Sequence, residues 1–110
     1  MATTALSRIQ HRTFGRLRDG RQVTCFALRA GDFAAEVLDY GAVVRALHVP
    51  GRDGRAADVV LGYDDAASYE RDGAFVGIVA GRYANRIRNA AFELDGRRYR
   101  LTANDPPHHL

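Results

Sequence analysis

The chain has 110 residues, with 16 basic and 13 acidic side chains, one cysteine and no tryptophan. That length holds one small domain or part of a larger one, and an apolar fraction of 46% excludes a disordered chain. One cysteine, Cys25, excludes an internal disulfide and a cysteine-based zinc site, and no apolar run reaches the roughly 18 residues that a membrane helix needs.

All the basic residues are arginines, and several alternate with aspartates, as in Arg18-Asp19, Arg52-Asp53-Gly54-Arg55 and Arg71-Asp72. A nucleic-acid binder gathers its charge on one face, so this pattern reads as a mixed-charge surface, and neither nucleic acid nor membrane is expected as a partner. Residues 1–13 carry Arg8 and Arg12 but no apolar core. They are expected to be a frayed N-terminus rather than a secretory signal, and a cytoplasmic setting is expected.

Asp-Gly punctuates the chain at residues 19–20, 53–54, 72–73 and 95–96. This dipeptide accepts the positive φ angles of tight hairpins. Residues 22–28 and 33–40 read as strands around the turn Ala30-Gly31-Asp32. Residues 42–49 read as a buried strand, apolar on both faces apart from Arg45 and His48. A loop at residues 50–54 leads to a short strand over residues 57–61. Asp64-Asp65-Ala66-Ala67-Ser68-Tyr69 can open one helical turn with an aspartate as N-cap. Residues 75–80 read as a short apolar strand. In Phe92-Glu93-Leu94-Asp95-Gly96-Arg97-Arg98-Tyr99 a two-residue turn at Asp95-Gly96 sets Leu94 opposite Arg97, Glu93 opposite Arg98 and Phe92 opposite Tyr99. One side of that ribbon, with Ala90, Phe92, Leu94, Tyr99 and Leu101, is expected to meet a core. No segment keeps a helical period, so the fold class is all-β, with short strands at the spacing of a sandwich or barrel.

Two stretches could carry chemistry. Residues 81–87 run from glycine into Arg82, Asn85 and Arg86, planar side chains with directional donors of the kind that recognise sugar hydroxyls. Periodicity alone favours a plainer reading, in which Arg82, Arg86 and Arg88 are surface arginines on one parity of a strand. In Asn104-Asp105-Pro106-Pro107-His108-His109-Leu110, the adjacent histidines would point to opposite faces of an extended chain and cannot easily share an ion. His11 and His48 are solitary and expected to be structural. No paired carboxylates, Ser-His-Asp set or phosphate loop is present, and neither a cofactor nor a metal is expected.

Four stretches together carry a resemblance. They are Tyr40-Gly41-Ala42-Val43-Val44 leading to Leu47-His48-Val49-Pro50; Ala57-Asp58-Val59-Val60-Leu61-Gly62-Tyr63-Asp64; Gly81-Arg82-Tyr83-Ala84-Asn85-Arg86-Ile87; and residues 92–99 with Leu101 and Asn104. In order and spacing they resemble the N-terminal part of the aldose 1-epimerase (galactose mutarotase) family, over residues 14–110. The resemblance implies one incomplete domain of a large β-sandwich. It implies interconversion of the α and β anomers of free hexoses such as galactose and glucose, without cofactor or metal. In that reaction a Glu takes the proton of the C1 hydroxyl and a His protonates the ring oxygen.

The family's sugar-binding Asn-Arg pair matches Asn85 and Arg86, which reverses the plainer reading for Arg86. Arg82 opens the same motif and is a third candidate. The family's His-Gly-Gly motif would follow Leu110. His108 and His109 do not align with its histidine. The catalytic His and Glu are therefore expected beyond this sequence, no catalytic residue is assigned within it, and the 110 residues are expected to be inactive alone. A second chain or self-association is expected to cover exposed strands. A related enzyme of hexose phosphates and a small basic nucleic-acid-binding β-module stand as alternatives. The second lacks the aromatic stacking pattern of a single-strand binder.

Overall fold

A computed structural model describes residues 9–110. These form two compact units that divide between Val79 and Ala80.

The N-terminal unit is an antiparallel meander of five strands in the order β1-β2-β3-β4-β5. The strands are β1 (Gln10–Arg16), β2 (Gln22–Ala30), β3 (Phe33–Leu38), β4 (Val44–Pro50) and β5 (Ala56–Asp58). Local chemistry makes each turn. At the first, the Asp19 carboxylate accepts from the Arg21 amide and Gly20 sits at φ 87°. At the second, Ala30 pairs directly with Phe33 around Gly31, at φ 58°. At the third, Gly41 and Ala42 are both left-handed, and the Leu38 amide donates to the Val43 carbonyl. Residues 10–13, expected in the frayed terminus, are instead paired along β2, and the earlier part of that segment lies outside the described residues.

One face of the meander carries the core of Leu17, Val23, Cys25, Leu38 and Val43, closed by Ala66 and Tyr69 of the helix α1 (Ala66–Arg71). The N-cap of α1 is Asp65, whose carboxylate accepts from the Ser68 amide at 2.8 Å and the Ser68 hydroxyl at 2.7 Å, as the sequence predicts. A Cβ at Gly15 would lie 3.0 Å from the Ala66 Cβ, so glycine in β1 lets the helix approach the sheet.

Three expectations for the rest of this unit change. Residues 75–80 form no strand. Phe75 and Gly77 have φ of 58° and 68°, which breaks an extended run, and the segment is a loop whose Gly77 carbonyl accepts from the Val44 amide. Strand β4 is mostly half-buried rather than buried, with only Ala46 fully covered. Strand β5 ends at Asp58 because that carboxylate itself takes the amides of Leu47 and Val60, which lowers its pKa from the ordinary value.

The C-terminal unit holds a 3-10 turn (Arg88–Ala90) and the hairpin β6 (Ala91–Leu94) and β7 (Arg97–Arg100). Its register is the predicted one, with Phe92, Glu93 and Leu94 opposite Tyr99, Arg98 and Arg97. Asp95 and Gly96, at φ 51° and 70°, supply the two positive angles of a tight hairpin. Phe92 and Tyr99 stack at 5.2 Å, with the Arg97 guanidinium over the Tyr99 ring. The apolar side of the ribbon does not meet a core within its own unit as expected. Ala90 is buried and Leu101 half-buried, but Phe92, Leu94 and Tyr99 stay 40%, 57% and 38% exposed.

Candidate functional site

Residues 81–87 form a loop, so alternation along a strand does not govern where their side chains lie. The loop is exposed up to Arg86 and is anchored at Ile87. There the Ile87 amide donates to the His109 carbonyl at 2.8 Å, and the His109 amide returns the bond at 3.1 Å. This two-bond bridge brings the segment after the hairpin alongside the loop, within the same unit.

Asn85 occupies the left-handed region at φ 64°, a conformation asparagine accepts because its short side chain bonds locally. Its Oδ1 accepts from the Arg86 amide at 2.8 Å, which leaves the two N–H groups of its amide pointing away from that bond. Arg86 donates from Nε to the Asp105 carboxylate, and its side chain remains 51% exposed. Its two Nη groups make no hydrogen bond to any described residue, so four N–H donors are left without a partner among the described residues. Arg82 lies on the same exposed loop and makes no ion pair or hydrogen bond among the described residues. Asn85 and Arg86 are neighbours on this exposed loop, each with N–H donors that no described residue takes, and Arg82 shares the loop.

The two adjacent histidines have separate tasks. His108 Nδ1 accepts from the Asn89 amide at 3.1 Å, where Asn89 turns the chain at φ 52°. His109 Nδ1 lies 2.5 Å from the Thr102 carbonyl, and since a carbonyl only accepts, this nitrogen carries the proton. The His109 ring also packs against Tyr83 at 5.9 Å. Asn104 clamps Leu110 at two points, donating from Nδ2 to its carbonyl and accepting at Oδ1 from its amide, both at 2.8 Å. Among the described residues no three His, Cys, Asp or Glu side chains are grouped as metal ligands. Sequence reasoning missed Asp105. Its only signal there was an acidic residue before two prolines, at a separation that no local pattern joins to Arg86.

The N-terminal unit contains a second polar cluster. Glu36 Oε2 receives Arg45 Nη1 at 2.5 Å, Arg12 Nη2 at 3.2 Å and the Cys25 thiol at 3.5 Å. Arg45 reaches on to Asp64 at 2.9 Å and lies over the Phe14 ring. Burial alone would raise the Glu36 pKa, but Arg45, the thiol and Arg12 together hold the carboxyl below its ordinary range. Burial, and then the Glu36 charge, push the Cys25 thiol up. Two arginines balance two carboxylates here, so the cluster ties β1, β2, β3 and β4 together and has no spare charge for a ligand.

Residues 24–110 match the family described as Aldose 1-epimerase. The chain is 40% identical to the galactose mutarotase of Bos taurus over 85 residues, covering 77% of this chain and 25% of that protein. It is 35% identical to the galactose mutarotase of Homo sapiens over 106 residues, covering 96% of this chain and 31% of that protein. The crystal structure of galactose 1-epimerase from Lactobacillus acidophilus superposes with a TM-score of 0.70 at 22% identity, over 94% of this chain and 30% of that one. The chain therefore spans between a quarter and a third of the length of these relatives, and it shares the fold of the Lactobacillus acidophilus protein over that span.

Proposed function

The chain belongs to the aldose 1-epimerase family, and we propose that it supplies the sugar-hydroxyl contacts of an enzyme interconverting the α and β anomers of free hexoses such as galactose. The observation that carries this reading is the paired presentation of Asn85 and Arg86. Both are planar groups with N–H donors that no described residue takes, on an exposed loop anchored at Ile87. Sugar hydroxyls are good acceptors for such donors, and bonds from a charged donor are each worth about 1.5–3 kcal/mol. Arg82 lies near enough in sequence to add a third contact.

Anomer exchange needs one group to take the C1 hydroxyl proton and another to protonate the ring oxygen. We assign neither role to any of the 110 residues. Each proton transfer contributes roughly 10²–10⁴-fold, so this chain alone should leave the rate of mutarotation at its uncatalysed value. Exposed Phe92, Leu94 and Tyr99 are expected to be covered by a second chain or by a second copy of this one.

Two measurements test the reading. Polarimetry of fresh α-D-galactose with the 110-residue chain should show no acceleration; an accelerated decay would place the proton-transfer groups within it. Titration with D-galactose should shift the Asn85 side-chain amide and the Arg86 Nε–H NMR signals saturably, and glucose 6-phosphate should do so more weakly. The reverse order would favour a hexose-phosphate enzyme, and no shift with either sugar would refute the site.

A further inference from the structure

We propose that Asp105 is a positioning residue for the sugar site, aiming the Arg86 guanidinium so that its two Nη groups face a pyranose hydroxyl. This rests on the sugar-binding reading of Asn85 and Arg86 given above.

A free arginine side chain samples many rotamers, and ordering it on ligand binding costs roughly 0.5–1.5 kcal/mol. Arg86 is ordered in advance. Asp105 takes the Nε–H, one edge of the planar fork, and leaves the opposite donors open. Asp105 is itself held. Its amide donates to the His108 carbonyl at 3.1 Å and its carbonyl accepts from the His108 amide at 2.8 Å, closing a turn around Pro106 and Pro107. Proline fixes φ at both turn positions, so the carboxylate has little backbone freedom. Next to that turn, His109 pairs with Ile87 through two further bonds, and Ile87 adjoins Arg86. The carboxylate and the guanidinium are therefore carried by two segments locked to each other, although they stand 19 residues apart in sequence.

The pair is half-exposed, at 51% for Arg86 and 43% for Asp105, so its own contribution to stability is small. Its effect falls on the geometry of the donors.

The test uses the 110-residue chain and D-galactose as the probe. In Asp105→Ala the Arg86 Nε–H signal should move and exchange faster with solvent, and the galactose dissociation constant should rise roughly two- to tenfold, the factor that corresponds to one side chain left unordered. Asp105→Glu keeps a carboxylate and should restore part of both. The Leu101 amide, bonded to the Ala90 carbonyl at 2.8 Å, reports whether a variant has kept its fold. If Asp105→Ala disturbs that amide, Asp105→Asn, which matches the native side chain in size but loses the charge, replaces it and should show a smaller loss in the same direction. An unchanged galactose affinity in a folded variant would overturn the positioning role while leaving the sugar site intact. Absence of any galactose response in the parent chain would overturn the sugar-binding reading, and this role with it.

Discussion

Gly77→Ala isolates the effect of one close approach. Gly77 lies in the loop where the sequence predicts a strand, at φ 68°, and its carbonyl accepts from the Val44 amide at 2.7 Å. A Cβ placed there would come within 2.3 Å of the Val44 carbonyl oxygen, a backbone atom at the start of β4 that cannot rotate away. Left-handed backbone alone costs an alanine about 1–2 kcal/mol. It does not forbid one, since Ala42 stands at φ 55°. The clash is what distinguishes Gly77. Relieving it must displace the loop and weaken the bond to Val44, worth about 0.5–1.5 kcal/mol. Together these give a loss of about 1.5–3.5 kcal/mol, against a total of about 5–15 kcal/mol for a small domain. With a urea dependence of about 2 kcal/mol per M, the unfolding midpoint should fall by roughly 1–2 M. The assay is equilibrium urea unfolding at low micromolar protein. Gly73→Ala is the control, because a Cβ there meets nothing within 4 Å. A Gly77→Ala midpoint within about 0.3 M of the Gly73→Ala control, the size of a neutral surface change, would refute the reasoning.

Glu36 should govern part of the acid sensitivity. Its carboxyl is held below the ordinary value of 4.5, so the stability it adds is complete above that value and is lost as pH falls through the lowered one. Glu36→Gln should therefore melt lower than the parent at neutral pH and lose less on acidification below about pH 4.5, as read by thermal unfolding across that range. Parallel melting curves for the two proteins would contradict this. Cys25 is completely buried with a raised thiol pKa, so labelling by a disulfide reagent should proceed at the rate of unfolding, and rapid labelling of folded protein would mean that the sheet opens locally. Leu94, 57% exposed on the hairpin, should contribute to association: sedimentation velocity should show mass rising with concentration, less so in Leu94→Ser. A monomer at every concentration would count against an uncovered apolar face.

Local chemistry is where sequence reasoning succeeds. Asp95-Gly96 between alternating apolar residues specifies both the turn and the register of β6 and β7, because two positive φ angles and a period of two admit one pairing. Asp65 before Ala66 specifies the start of α1 through one carboxylate and the amide three residues on. The turns of the meander, the all-β class and the Asn-Arg motif are legible in the same way. Relations between distant residues are not. An apolar run at residues 75–80 is compatible with a strand, and the left-handed backbone of Phe75 and Gly77, with Gly77 packed against Val44, excludes it. The burial of β4 depends on what the rest of the chain places over it, not on its own composition. Asp105 reaches Arg86 because the Ile87–His109 bridge joins two segments that no sequence period connects. Turn propensity and side-chain alternation act between near neighbours along the chain, so the sequence alone determined β2 to β4, the β6–β7 hairpin and the candidate Asn85-Arg86 pair, but neither β1 nor the loop at residues 75–80. Side chains from separate segments meet only once the backbone has closed between them, and the tertiary structure alone decided which carboxylate would aim that pair's arginine.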